Sequence, residues 1–421
     1  MYITETKIQV SKYKCGKKLR KASRVHLEIQ LVDNLEKLWW KFLKSEDLKN
    51  FMFSAVSGVL FLLIFLFEGK CIGGVSNFIQ CATHFRIKHL KSEDSKLITD
   101  GAGRKLLLVH HIDKVTVKNI NAVIKIPVKR VITRWSTIPS FLRSLGVEDT
   151  IVAVVTREEE PCDEYIKHRI YSRNIEIIGG PSSIDYEKLI VLNPDIFFIS
   201  KWQSIKISKK LNQLNISYAV IAEYLEDNPL GRTEWIKFFA TFYDREKIAQ
   251  KIFSRVVKKI KEIEVRLRCE KLKPKILWCF IRQDGTIYVP RGDSYVAKMI
   301  AMAGGNYVFK QLKKVNNVPI SLEYFYLCGR DADIYISAVP LPQYGITSIK
   351  KLTAFHPMLC DFKSIKKGNV WYLCSYYWES AEKIDEIIED LAAVFHPRLF
   401  PNHKPKYFFK LFYLKKGKRR D

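Results

Sequence analysis

The chain has 421 residues, enough for two or three ordinary domains, and its 47% apolar content supports full hydrophobic cores. A formal net charge of +27 raises a nucleic-acid or anionic-surface partner, yet the lysines spread through helical patterns and no base-reading motif accompanies them, so the charge reads first as solvated faces. Nine cysteines without a Cys-x-x-Cys pair argue against a zinc site and against an enzyme built on a metallo-cluster scaffold; disulfides among the later ones stay open in their connectivity.

Residues 1–50 read as a basic, partly helical tail holding 12 Lys/Arg against 6 Asp/Glu. Residues 51–67 follow without a charge and predict an N-terminal hydrophobic helix of about 25 Å. The run is apolar on every face, which sets it apart from a core helix. The positive-inside bias keeps the tail cytoplasmic and sends the remainder outward. Three readings stand: an uncleaved transmembrane anchor, a signal sequence with Met52 as an alternative start, and a lipoprotein signal with Cys71 lipidated. Glu68 and Lys70 depart from the small and aliphatic residues a lipoprotein signal uses.

Residues 72–104 look like a polar linker, and 105–228 like a first lobe. Alternation over 105–110 and 114–118 predicts an antiparallel opening hairpin. A strand over 130–133, a helix over 136–145 with Gly146 at its C-terminal cap, and a doubly buried strand over 151–155 come next. A short helix (187–192), a strand (196–200), a helix (205–214) and a strand (218–222) complete the lobe. This alternation predicts a parallel sheet covered by helices.

Residues 229–270 read as linking helices. Pro229 begins one after Asn228, and Asp244 reads as the N-cap of another. Ile248, Ile252, Val256, Ile260, Ile263 and Leu267 recur at helical spacing, giving a helix of about 25 residues that crosses from one lobe to the other. The second lobe spans 271–411. Strands over 275–281 and 286–289 turn at Asp284-Gly285. Asp293 or Ser294 caps a helix that ends at Gly304-Gly305. Glu323 opens a short helix, strands follow over 333–337 and 370–373, and a last helix over 380–396 stops at Pro397. Residues 412–421 form a basic tail. The fold class is α/β, with helix-covered sheets on either side of a long helix, preceded by the hydrophobic helix.

One pattern occurs twice. Residues 181–198 and 318–336 each carry a glutamate that opens a helix, Glu187 and Glu323, and then an aspartate before a short strand. Matching carboxylates in two halves of one chain suggest a protein that docks symmetrically onto something basic. No Gly-Lys-Ser/Thr phosphate loop, His-Glu-x-x-His or Gly-x-Ser-x-Gly motif occurs. His110-His111 reads as a strand-end pair and Arg291-Gly292-Asp293 as a helix-capping turn. Nothing assembles a nucleophile with a base, so binding is expected and catalysis is not.

From about residue 105 to 411 the chain resembles the periplasmic substrate-binding proteins of ABC importers for ferric siderophores, haem and cobalamin. Residues 127–133 (Pro-Val-Lys-Arg-Val-Ile-Thr) look like the family's first strand, and 144–152 like its helix-to-strand turn. The most specific stretch is 186–195 (Tyr-Glu-Lys-Leu-Ile-Val-Leu-Asn-Pro-Asp). Residues 223–238 match a motif of an iron-complex-binding subgroup, and 303–306 and 395–401 also fit. The resemblance implies class III architecture: two Rossmann-like lobes joined by one long helix, with ligand held in the cleft between them. It also implies that Glu187 and Glu323 pair with arginines of a dimeric permease. Loops after the strand C-termini are expected to line the cleft. In lobe one these supply Arg134, Trp135, Ser136, Thr137, Thr156, Arg157, Pro181 and Ser182. In lobe two they supply Arg282, Tyr288, Arg291, Tyr376, Tyr377 and Trp378. Arginines suit anionic groups and aromatics stack on a macrocycle or catecholate; Trp235 reads as helix core. No Tyr/His/Asp cluster points to a bare metal, so an organic metal complex is expected: a ferric siderophore first, haem or cobalamin second. The expected location is the periplasmic or extracellular face, anchored or exported. The reading from another class is a basic module for nucleic acid or anionic surfaces.

Overall fold

The computed structural model describes residues 78–90, 95–112, 117–134, 137–156, 164–180, 183–313 and 318–413. The hydrophobic run 51–67, the basic tail 1–50 and Cys71 lie outside the described residues. Among the described residues no helix is long and apolar enough to cross a membrane.

The first sheet corrects two expectations. The stretch 72–104, read as a linker, carries β1 (Arg86–Leu90) and β2 (Ser95–Thr99), which pair antiparallel. β3 (Lys105–Val109) pairs antiparallel with β2 and parallel with β4 (Ala122–Lys125), so 105–110 and 114–118 do not form a hairpin. Residues 113–116 lie outside the described residues, and 117–118 are not in a strand. Leu106, Leu107 and Leu108 of β3 are all fully buried, so both faces of this strand are covered, as in an interior strand and not in an exposed hairpin.

Lobe one is a five-stranded sheet in the order β11-β10-β5-β6-β7, parallel throughout. Its strands are β5 (Val131–Arg134), β6 (Ile151–Val155), β7 (Glu176–Ile177), β10 (Ile196–Ser200) and β11 (Tyr218–Ile221). A two-residue pair, β8 (Gly179–Gly180) with β9 (Ser183–Ile184), lies between β7 and β10 in the chain. The covering helices are α1 (Thr137–Ser144), α2 (Glu164–Tyr171), α3 (Tyr186–Leu192) and α4 (Lys201–Gln213). α1 ends as expected. Gly146 sits at φ +68, its N–H donates to the Arg143 carbonyl at 2.9 Å and that of Val147 to Leu142 at 3.0 Å, a Schellman closure. α4 starts four residues earlier than expected because Ser200 caps it: the Gln203 side chain accepts from the Ser200 backbone N–H at 3.2 Å.

Two helices link the lobes: α5 (Pro229–Ala240) and α6 (Glu246–Leu267). Asp244 does not cap α6. It lies in the left-handed region at φ 55, and its carboxylate accepts from Lys96 Nζ at 2.5 Å and pairs with His110 Nε2 at 2.9 Å, fastening the helix start to the first sheet. The apolar stripe of α6 runs through Ala249, Phe253, Val256, Ile260, Ile263 and Leu267, which leaves the expected core residue Ile248 at the surface.

Lobe two holds β12 (Lys275–Ile281), β13 (Ile287–Val289), β14 (Asn306–Tyr307), β15 (Val318–Ile320), β16 (Ile334–Ser337), β17 (Val370–Leu373) and β18 (Phe408–Leu411). The order is β15-β13-β12-β16-β17-β18, with β14 also on β12. β12, β14, β16 and β17 run parallel; β13, β15 and β18 are antiparallel additions. Its helices are α7 (Tyr295–Met302), α8 (Leu322–Gly329), α9 (Ile349–Phe355), α10 (Lys363–Lys366) and α11 (Ile384–Phe395). Ser294, not Asp293, caps α7. The last helix begins at Ile384, after two 3-10 turns over 377–383.

Candidate functional site: the interlobe cleft

In lobe one the chain winds from β5 out to β7 and returns to β10 and β11 on the other side of β5. Side chains at the C-terminal ends of β5 and β10 therefore flank a switch point, the place where an open parallel sheet leaves a crevice. In lobe two β12 and β16 make the equivalent junction. The two crevices form one cleft of about 770 Å³.

Each wall follows from the strands. Arg134 is the last residue of β5, and its guanidinium lies 5.0 Å from the ring centre of Trp202, in the first turn of α4. Thr137 opens α1 and donates to Glu223 Oε1 at 2.6 Å, just past β11. Tyr224 follows on the same wall; burial pushes its phenol pKa up, so the ring stays neutral. From α5 comes Arg232, only 5% exposed, its guanidinium 4.2 Å from the centre of the Tyr295 ring; among the described residues its Nε meets no hydrogen-bond acceptor. Lobe two presents Phe280 and Tyr288 stacked across β12 and β13, with centroids 6.3 Å apart and planes 24° apart. Arg282 stands beside them, held charged by a hydrogen bond to Tyr288 and by Asp284. Arg291 pairs with Asp293 at 2.9 Å and, across the lobes, with Asp227. Gly292 between them is required, because a Cβ there would lie 2.0 Å from the Lys310 carbonyl oxygen. Trp378, half exposed, completes the wall and rests edge-on against buried Tyr377 at 5.1 Å.

Six of the expected cleft residues thus line one space: Arg134, Thr137, Arg282, Tyr288, Arg291 and Trp378. Three do not. Thr156 is buried at the end of β6, its N–H donating to the Gly179 carbonyl. Tyr377 packs behind Trp378 against Trp278. Tyr376 turns away and donates to the Lys406 carbonyl at 2.9 Å. Trp135, Ser136, Arg157, Pro181 and Ser182 lie outside the described residues. Ser200, Trp202, Glu223, Tyr224, Arg232 and Tyr295 also line the cleft and were not anticipated. Ser200 and Trp202 were legible through the Ser200/Gln203 capping pair, which places the end of β10 at the cleft. Arg232 and Tyr295 depend on two helices meeting and left no local signal.

Glu226 lies at the cleft edge but is already satisfied. It accepts from the backbone of Thr83 and His84, from the Thr83 hydroxyl and from Trp235 Nε1. Trp235 is buried in the helix core as expected. Glu234, paired with Lys237 at 2.7 Å in the interior, accepts from the N–H groups of residues 80–82. Residues 80–84 are thereby strapped along α5. Among the described residues no group of three or more His, Cys, Asp or Glu is placed to hold a metal ion, and the six described cysteines are unpaired thiols.

Glu187 and Glu323 are both exposed, each the second residue of its helix. α3 feeds directly into β10 and α8 into β16, the same helix-then-strand order in each lobe. The Glu323 carboxyl is held below the usual range by its own backbone N–H and the Ser321 hydroxyl.

Residues 131–377 match a family described as periplasmic binding protein. An uncharacterized lipoprotein of Methanocaldococcus jannaschii is 31% identical over 330 residues, 75% of this chain and 78% of its own length. Among solved structures, a periplasmic haem-binding protein from Roseiflexus sp. RS-1 superposes with a TM-score of 0.53 at 18% identity, covering 64% of this chain and 99% of that one. A TroA-like periplasmic binding protein from Veillonella parvula gives 0.52 at 17% identity, covering 75% and 99%. At these identities the two structures show a shared fold.

Proposed function

The chain belongs to the periplasmic binding protein family, whose members bind a substrate without transforming it, and from that premise we propose that it is the extracytoplasmic receptor of an ABC importer. It captures a ferric siderophore or related metal complex between its lobes and passes it to a permease dimer. A ferric siderophore is the first candidate, and haem or cobalamin the alternatives on the same fold. The observation that carries this reading is the cleft: Trp202, Tyr224, Phe280, Tyr288 and Trp378 supply flat walls, while Arg134, Arg232 and Arg282 supply positive charge for acidic groups. The periplasmic haem-binding protein of Roseiflexus shares the fold and supports this ligand class. The lipoprotein relative supports attachment at the outer face, through residues 51–67 or Cys71. Glu187 and Glu323 are the docking carboxylates.

The test is a ligand screen on the purified full-length chain by thermal shift and calorimetry, with a ferric hydroxamate, a ferric catecholate, haem and cobalamin. One of them is expected to raise the melting temperature, since a ligand at a hundredfold excess over Kd adds about 2.7 kcal/mol. No shift with any of the four, together with duplex DNA binding that collapses as salt rises, would replace this reading by the nucleic-acid one.

A further inference from the structure

The duplicated helices agree in more than their glutamates. Asp185 caps α3 by accepting from the Lys188 N–H, and Ser321 caps α8 by accepting from the Tyr324 N–H, the same offset in both. Glu187 and Glu323 take the second helical position. Four residues after each cap, Leu189 and Phe325 are fully buried. Two residues further on, Val191 and Leu327 are 84% and 67% exposed. They stand one turn beyond the glutamates on the same helical face. The correspondence then continues. Asp195 accepts from the backbone N–H groups that lead into β5, and Asp333 from the one that starts β12.

A single exposed aliphatic side chain needs no explanation. Two at one register, each a helical turn past an exposed carboxylate on helices that lead into equivalent strands, form a repeated motif: an acidic group and an apolar knob. Ile190 extends the apolar contact on the first copy, Leu322 and Tyr324 on the second, all of them exposed. A lipid surface offers no reason for two identical acid-plus-knob units. A partner with internal two-fold repetition does.

We propose that Val191 and Leu327 are paired apolar contacts to the permease dimer, each entering a socket one helical turn from the cation that receives Glu187 or Glu323. This rests on the docking reading above and adds to it the chemistry of the partner surface: a cationic group beside an apolar pocket, presented twice. The charges steer encounter, and the desolvated knobs slow dissociation.

Photocrosslinking tests it. Full-length protein carrying benzoylphenylalanine at position 187, 191, 323, 327 or, as an exposed apolar control, 272 is illuminated on membranes of the source cell, and adducts are mapped by mass spectrometry. Positions 191 and 327 are expected to label the same peptide of a permease subunit, with no permease adduct from 272. If 187 and 323 label the permease while 191 and 327 label lipid, other proteins or nothing, the inference falls and the docking reading survives. If none of the four labels a permease, the docking reading falls and takes the inference with it.

Discussion

At the scale of single residues, Arg232 carries the most consequence. Its side chain is almost wholly buried, with the guanidinium over the Tyr295 ring, and it lines the cleft. A buried cation is costly unless something anionic completes it. Replacing Arg232→Met keeps the stem over the ring and removes the charge. Ligand affinity is expected to fall roughly 10- to 100-fold, the worth of a hydrogen bond to a charged group, with little change in melting temperature; unchanged calorimetric affinity would remove Arg232 from the binding role. A second residue-scale prediction concerns acid–base balance. Burial pushes the carboxyls of Glu382 and Asp385 above their ordinary values of 4.5 and 3.8. The native state therefore holds protons that the unfolded chain has released, so their contribution is full below the unfolded pKa and is lost as pH rises through the folded one. Glu382→Gln should raise the melting temperature at neutral pH and flatten its decline with pH; an unaltered slope would show that Glu382 is not the titrating group.

At the scale of elements, the two helix–strand units α3–β10 and α8–β16 do the same structural job. Asp195 Oδ2 receives the Lys129 and Arg130 N–H groups at 2.6 and 2.9 Å, and Asp333 Oδ2 receives that of Lys275 at 2.8 Å. Each aspartate thus fixes the start of the neighbouring strand whose far end reaches the cleft. Asp195→Ala is expected to cost about 1 kcal/mol in denaturant unfolding, the scale of a lost backbone cap, and Asp333→Ala at least as much because it also loses the Lys363 ion pair at 2.6 Å; no loss of stability in either variant would show that the aspartate does not hold its strand. This repeat was legible from sequence because it rests on local signals: a cap, a glutamate, an apolar run and a pre-strand aspartate. The first sheet was not legible. β1 reads Arg-Ile-Lys-His-Leu with no fully buried residue, so its apolar positions do not stand out from a polar linker. The cleft divided along the same line. Residues at or directly after a strand's C-terminal end, such as Arg134 and Arg282, are legible by position alone. Trp202 was lost to a helix start placed at 205, and Arg232 to a meeting of α5 with α7 that no window of sequence contains.

At the scale of the whole two-lobed body, the question is how far the lobes move on the ligand. α6 spans 22 residues, about 33 Å, and serves both cores: Ala249 and Ile252 pack in lobe one, while Val256, Ile260, Ile263 and Leu267 pack in lobe two. It is not the only tie. The chain crosses back between β17 and α11, placing Ala381 in the lobe-one core and Ile384 in that of lobe two, with the Thr233 hydroxyl donating to the Ala381 carbonyl at 2.8 Å. Arg291 and Asp227 add an ion pair between the walls of the cleft itself. A large hinge rotation would have to bend a continuous helix, pull apart close-packed apolar surface and break a buried hydrogen bond at once. Each of those costs on the order of a kilocalorie per mole or more. Hinges elsewhere absorb such motion in a few loop residues, and here the loop residues between the lobes are bracketed by packed elements. Ligand binding is therefore expected to leave the radius of gyration in solution scattering unchanged within error, and free and bound crystal structures to differ chiefly in Trp378, Tyr224 and the arginine side chains. A lobe rotation of tens of degrees between those crystals would mean that the helix bends where its packing says it should not, and the rigid-clamp account of ligand capture would have to be abandoned.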